Sequence, residues 1–125
     1  MTDSRDLAVT AARAASSKQG EAIAVLDVSD LITITDYFVI VSAGSERQVK
    51  TISEEVIRAA KERGVRPVRQ EGEAGTRWLL LDFVDFVVHV FHEEERDFYR
   101  LENLWRDAPV VEWEEGAEVR FGQVR

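Results

Sequence analysis

At 125 residues, with 45% apolar and 32% charged side chains, the chain has the makeup of one globular domain without room for a second core. Its 24 acidic residues outnumber 16 scattered basic ones, giving a formal net charge of −8, which disfavours binding to a phosphate backbone. The absence of cysteine excludes disulfides and thiolate metal sites, and no apolar run approaches the roughly 20 residues that span a bilayer.

The opening M-T-D-S-R-D-L-A-V is acidic early and has no apolar core, so it does not read as a secretory signal; a cytoplasmic protein is expected. Helical spacing of Leu7, Ala8, Ala11, Ala12 and Ala15 predicts a first helix from about Ser4 to Lys18, with Gly20 where it closes. Its mostly alanine face suits close packing. Ala22 to Val28 reads as a strand, Ser29 and Asp30 as a turn, and D-Y-F-V-I-V-S-A as a second strand ending at Gly44.

Ser45 and Gln48 have the capping-box spacing ahead of a second helix, whose Val49, Ile52, Val56, Ala59 and Ala60 share one face and whose end is marked by Gly64. Val65 to Val68 reads as a short strand, and Pro67 within it favours a sheet edge. Glu71 to Gly75 is a loop. Strands at about Thr76 to Phe83 and Phe86 to Phe91 follow, joined through Val84 and Asp85. A charged amphipathic helix from about Glu93 to Trp105 places Phe98, Leu101, Leu104 and Trp105 on one face, with Glu93, Glu94 and Glu95 at its positive dipole end.

The predicted order is α-β-β-α-β-β-β-α, an α/β single domain with a mixed five-stranded sheet flanked by helices. The domain is expected to occupy residues 1–108, and residues 109–125 an acidic tail that is either mobile or a weak added strand.

Chemistry-bearing groups are sparse. His89 and His92 have a spacing that a strand splits between its two faces, and a zinc site would need carboxylates to complete it. His89 is expected to pack within the sheet and bond to a neighbour. Ser42, Ser45 and Ser53 have no histidine that the sequence nominates as a base. Surface residues remain. Trp78 begins a strand after a polar loop and is either core or an interface anchor; Tyr99 sits one position from the core-facing Phe98. Glu71, Asp82, Asp85 and Glu102 are acidic positions that read either as a solvated face or as part of a recognition surface.

Several segments together resemble the ribosomal silencing factor family, also called the Iojap-like proteins. They are I-T-D-Y-F-V-I at Ile34 to Ile40, S-E-R-Q at Ser45 to Gln48, Glu71-Gly72, Trp78, V-V-H-V-F at Val87 to Phe91, and F-Y-R-L-E-N-L-W at Phe98 to Trp105. The resemblance runs from about Leu7 to Ala108. It implies a nucleotidyltransferase-like fold without the catalytic carboxylates: Gly44-Ser45 before a helix fits a phosphate-binding turn, but Asp82 and Asp85 are three residues apart and a strand would part them.

It further implies a protein that is not an enzyme and needs no cofactor or metal. Such a protein binds the large ribosomal subunit through ribosomal protein L-fourteen, blocks joining of the small subunit, and represses translation when nutrients are scarce. The implied contact residues are Glu71, Trp78, Asp82, Tyr99 and Glu102. A homodimer is implied for the free protein, with no direct nucleic-acid or membrane contact. A large-subunit assembly adaptor is the alternative. The family commonly has glycine before the aspartate of the last hairpin, where this chain has Val84, so that turn is expected to differ locally.

Overall fold

Two strands that read as nearly continuous apolar runs lie side by side at the centre of the sheet. In a computed structural model, which describes residues 3–72, 77–94 and 106–114, the elements are α1 (Ser4–Ser17), β1 (Glu21–Asp27), β2 (Tyr37–Ala43), α2 (Glu46–Glu62), β3 (Arg69–Glu71), β4 (Trp78–Asp82) and β5 (Phe86–His92). The sheet order is β1-β2-β5-β4-β3. β2 and β5 pair in parallel, from Tyr37 opposite Phe86 to Ala43 opposite His92; the other pairs are antiparallel. The mixed α/β class is as the sequence predicted. The last predicted helix lies, beyond Glu94, outside the described residues.

The helices are set by local signals. The Asp3 carboxylate accepts the Asp6 N–H at 2.8 Å at the start of α1, and Ser45 Oγ accepts the Gln48 N–H at 3.1 Å at the start of α2. Both helices close in the same paired hydrogen-bond pattern. After α2 the left-handed residue is Gly64, at φ +83°, and the Val65 N–H returns to the Ala60 carbonyl. After α1 that residue is Gln19, at φ +68°, rather than glycine, and the Gly20 N–H returns to the Ala15 carbonyl at 2.9 Å.

Both helices cover one face of the sheet. Leu7, Ala8, Ala12 and Ala15 of α1 and Val49, Ile52 and Val56 of α2 are buried against Val25, Val39, Val41, Val88, Val90, Leu79 and Leu81. The alanine face of α1 lets it pack close to α2 and β2. Gln48 ties the two helices together: its Nε2 donates to the Lys18 and Gln19 carbonyls at 3.1 and 3.0 Å, and its Oε1 accepts the Gly44 N–H at 2.7 Å. Gln48 thus serves the cap of α2 and the end of α1 with one side chain.

One expectation changes. The third strand is Arg69–Glu71, not Val65 to Val68. Val65 is apolar because it packs on the core as the hydrophobic residue of the α2 closure. Pro67 has no N–H to give, so pairing begins only when the Val68 N–H reaches the Asp82 carbonyl at 2.8 Å. The edge position is as expected. The stretch after Ala108 lies along β1: the Asp27 N–H donates to Pro109 at 2.9 Å, the Val111 N–H to Val25 at 2.8 Å, and the Trp113 indole N–H to Ile23 at 3.2 Å. Residues 115–125 lie outside the described residues.

Gly20 is where α1 turns down onto the sheet. A Cβ there would lie 2.7 Å from Val41 Cγ1 and 2.9 Å from the Ala15 carbonyl oxygen. Backbone cannot yield as a side chain can, so Gly20→Ala is expected to lower stability by about 2 kcal/mol. Urea unfolding followed by circular dichroism checks this; an unchanged midpoint would show that the junction is loose.

Candidate interaction surface

Strand alternation divides the sheet between the helix-covered face and a second face on which neither described helix packs. The three-residue connection between β4 and β5 fixes their register, so Trp78 stands opposite Phe91, Leu80 opposite His89 and Asp82 opposite Val87. Register with β2 adds Phe38 and Ile40, and register with β3 adds Glu71 and Arg69. Ile40 and Phe91 are fully buried, with Leu26, Val28 and Ala108, in a second small core on this side.

The aromatic rings form a row. Trp78 stacks on Phe91 with centroids 5.0 Å apart and on His89 at 6.1 Å, and Phe38 meets His89 edge-on at 5.3 Å. Trp78 nevertheless remains 40% exposed. It is therefore neither plain core nor a loose surface residue: the ring is held by stacking on Phe91 and His89 and is still partly exposed.

His89 does what was expected, packing within the sheet and accepting the Trp78 indole N–H at Nδ1, 3.4 Å away. Acceptance at Nδ1 leaves the proton of the neutral ring on Nε2. Burial disfavours the charged form and pushes the His89 pKa down to about 4. His92, three residues on, falls on the other face of β5 and accepts the Glu94 N–H at Nδ1, 3.1 Å away. The two imidazoles do not converge.

The acidic positions are less bare than their sequence suggests. Arg69 lies 3.2 Å from Glu71 and 3.7 Å from Asp82, all partly or well exposed, so these pairs add little stability. They leave the rim of the face mixed in charge. Asp82 Oδ1 also accepts the Val84 N–H at 2.8 Å. Glu71, Trp78 and Asp82 do share the second face; Tyr99 and Glu102 lie outside the described residues. Asp85 is an exposed turn residue whose carbonyl accepts the Asp36 N–H at 3.0 Å.

Two shallow depressions mark this face. One, of about 200 Å³, is lined by Glu71, Gly72, Trp78 and Leu80. The other, of about 220 Å³, lies between Ile34, Phe38, Leu80, Val87 and His89, with Arg69 and Asp82 also lining it. Sequence reasoning missed Phe38, His89 and Phe91 as the rings behind Trp78. The signal was present in the short turn, which sets Trp78 opposite Phe91 once the hairpin is recognised.

The turn before α2 is internally satisfied. The Gly44 N–H goes to Gln48 Oε1 and the Gln48 N–H to Ser45 Oγ, so donors that would meet a phosphate are engaged by the chain itself.

Below its unfolded value near 6.5, the unfolded chain takes up a proton at His89 that the folded chain refuses until about pH 4. The neutral-ring stability is thus complete above pH 6.5 and falls as pH drops to about 4, by up to about 3 kcal/mol. His89→Phe is expected to flatten that part of the curve, measured by urea unfolding between pH 7 and 4.5. The same slope in the variant would remove His89 as its source.

A family model described as "Ribosomal silencing factor during starvation" matches residues 1–123. The ribosomal silencing factor RsfS of Halalkalibacterium halodurans is 42% identical over 110 residues, covering 88% of this chain and 94% of that protein. The mouse protein named "Mitochondrial assembly of ribosomal large subunit protein 1" is 35% identical over 86 residues, covering 66% of this chain and 38% of its own length. A crystal structure of a Chromobacterium violaceum protein superposes with a TM-score of 0.79 at 35% identity, covering 83% of this chain and 87% of that one.

Proposed function

This chain belongs to the ribosomal silencing factor family, and we propose that it docks on ribosomal protein L-fourteen of the large ribosomal subunit and sterically prevents the small subunit from joining. Translation is thereby repressed when nutrients are scarce. The observation that carries this reading is Trp78: a half-exposed indole, braced by Phe91 and His89, on a sheet face that neither described helix covers. A partly exposed aromatic that is already held rigid loses little conformational entropy on binding, which is why such residues anchor protein interfaces.

Occlusion needs affinity and position, not bond chemistry. Trp78 is the anchor, with Glu71 and Asp82 at the rim as electrostatic partners, and Tyr99 and Glu102 complete the contact set. The net charge of −8 suits a basic ribosomal protein, since complementary fields speed encounter. Arg69 makes part of that complementarity conditional: a partner cation must compete with it for Glu71 and Asp82. The free protein is a cytoplasmic homodimer in this reading. Gly44-Ser45 serves as a helix cap, which agrees with a role that is not enzymatic.

A second reading, a large-subunit assembly adaptor, is favoured by one observation, the assembly role in the name of the mouse relative. The same surface would serve. Growth phase separates the two, because an assembly factor tracks rapid growth and a silencer tracks starvation.

The decisive experiment is sedimentation of the purified protein with large subunits, small subunits and whole ribosomes, followed by a subunit-joining assay. Binding to the large subunit alone and blocked joining are expected. Trp78→Ala should weaken binding by about tenfold or more while the fold persists, because the indole is already 40% exposed. Failure to travel with large subunits would sink the proposal.

A further inference from the structure

The turn joining β4 to β5 holds its central residue in a costly conformation. Val84 has φ +76°, and the Asp85 N–H donates across it to the Phe83 carbonyl at 3.0 Å. This is a three-residue γ-turn of the strained, positive-φ kind, adopted here by a β-branched residue. Burial gives little in return, since Val84 is 52% exposed. Glycine would relax the turn.

The surroundings of Val84 are also unusual. The Asp36 N–H bonds to the Asp85 carbonyl at 3.0 Å, bringing the β1–β2 connection against the turn. That connection carries Ile34, 82% exposed, and Thr35, whose buried hydroxyl has no hydrogen-bond partner among the described residues. Both line the larger depression, and the carboxylate of Asp82, another lining residue, holds the Val84 N–H. A strained backbone, an unsatisfied hydroxyl and exposed apolar side chains therefore meet at one end of the sheet. Each costs the free protein stability, and such costs gather where a surface serves binding.

We propose that Val84 and Ile34 form a second apolar contact for the basic ribosomal partner, at the opposite end of β4 from Trp78; this rests on the docking reading above. The two contact points are separated by the length of β4, about 13 Å from Trp78 to Asp82. They are continuous: Leu80 lines both depressions, and His89, which lines the larger, lies under the Trp78 ring. The Val84 side chain is exposed at the turn, and the Asp82 carboxylate beside it offers the partner's cations a counter-charge.

The test uses Val84→Gly and Ile34→Ser in the full chain, with thermal melting and sedimentation against purified large subunits. Val84→Gly is expected to melt about 4 °C higher and to bind about tenfold more weakly. Ile34→Ser is expected to melt as the parent does and to bind about fivefold more weakly. Binding of either variant as tight as the parent's overturns the second contact. A Val84→Gly protein that melts lower overturns the strain argument. If the parent itself does not bind large subunits, the docking reading fails as well. If the parent binds and Trp78→Ala weakens it while these two variants do not, only the second contact fails.

Discussion

The parallel pairing of β2 with β5 is the constraint on which the rest of the structure depends. It joins residues 37–43 to residues 86–92, so the intervening chain must leave the sheet and come back. Two parallel neighbours cannot be joined by a tight turn, and α2 supplies the bulk of that crossover. Both strands sit in the middle of the sheet, which requires apolar residues on both of their faces. That explains runs such as F-V-I-V and V-V-H-V-F in a chain this acidic. It also explains why a histidine at position 89 is held neutral: it occupies a central strand, where burial disfavours the charged ring.

From that centre the two faces diverge. One is sealed by α1 and α2, with Gln48 fastening the end of the first helix to the start of the second. The other carries the ring row, the small core around Ile40 and Phe91, and two shallow depressions. Its features pull against stability. An indole is left half open, a valine is held at positive φ, and a buried hydroxyl lacks a partner among the described residues. A surface built only to fold would not keep three such costs within one strand's length; a surface built to bind has reason to.

The same comparison speaks to mechanism. A phosphate-binding turn presents free backbone donors, and here those at Gly44 and Gln48 are already engaged. A two-metal site needs carboxylates converging from one face, and Asp82 ends a strand while Asp85 sits in the turn beyond it. What the second face offers is shape, one rigid aromatic and a mixed-charge rim. Those are means of recognition, which is what the proposed docking asks for.

Much of the fold was legible in the chain because its signals are local. Helical spacing, the Ser45 cap, the Gly64 closure and the turn at Val84-Asp85 each act within a few residues, and they located both described helices and four of the strands. Where a local signal served another purpose the reading slipped: Val65 is apolar for the closure of α2, so the third strand begins later, at polar Arg69. The family was likewise readable from sequence. What only the tertiary structure decided was company. That Phe91 and His89 brace Trp78, that Arg69 lies between Glu71 and Asp82, and that Asp36 bonds to the turn at Asp85 all follow from strand register and sheet order. Those are set by the burial of the whole sheet, a sum over distant residues that no short segment of the chain contains.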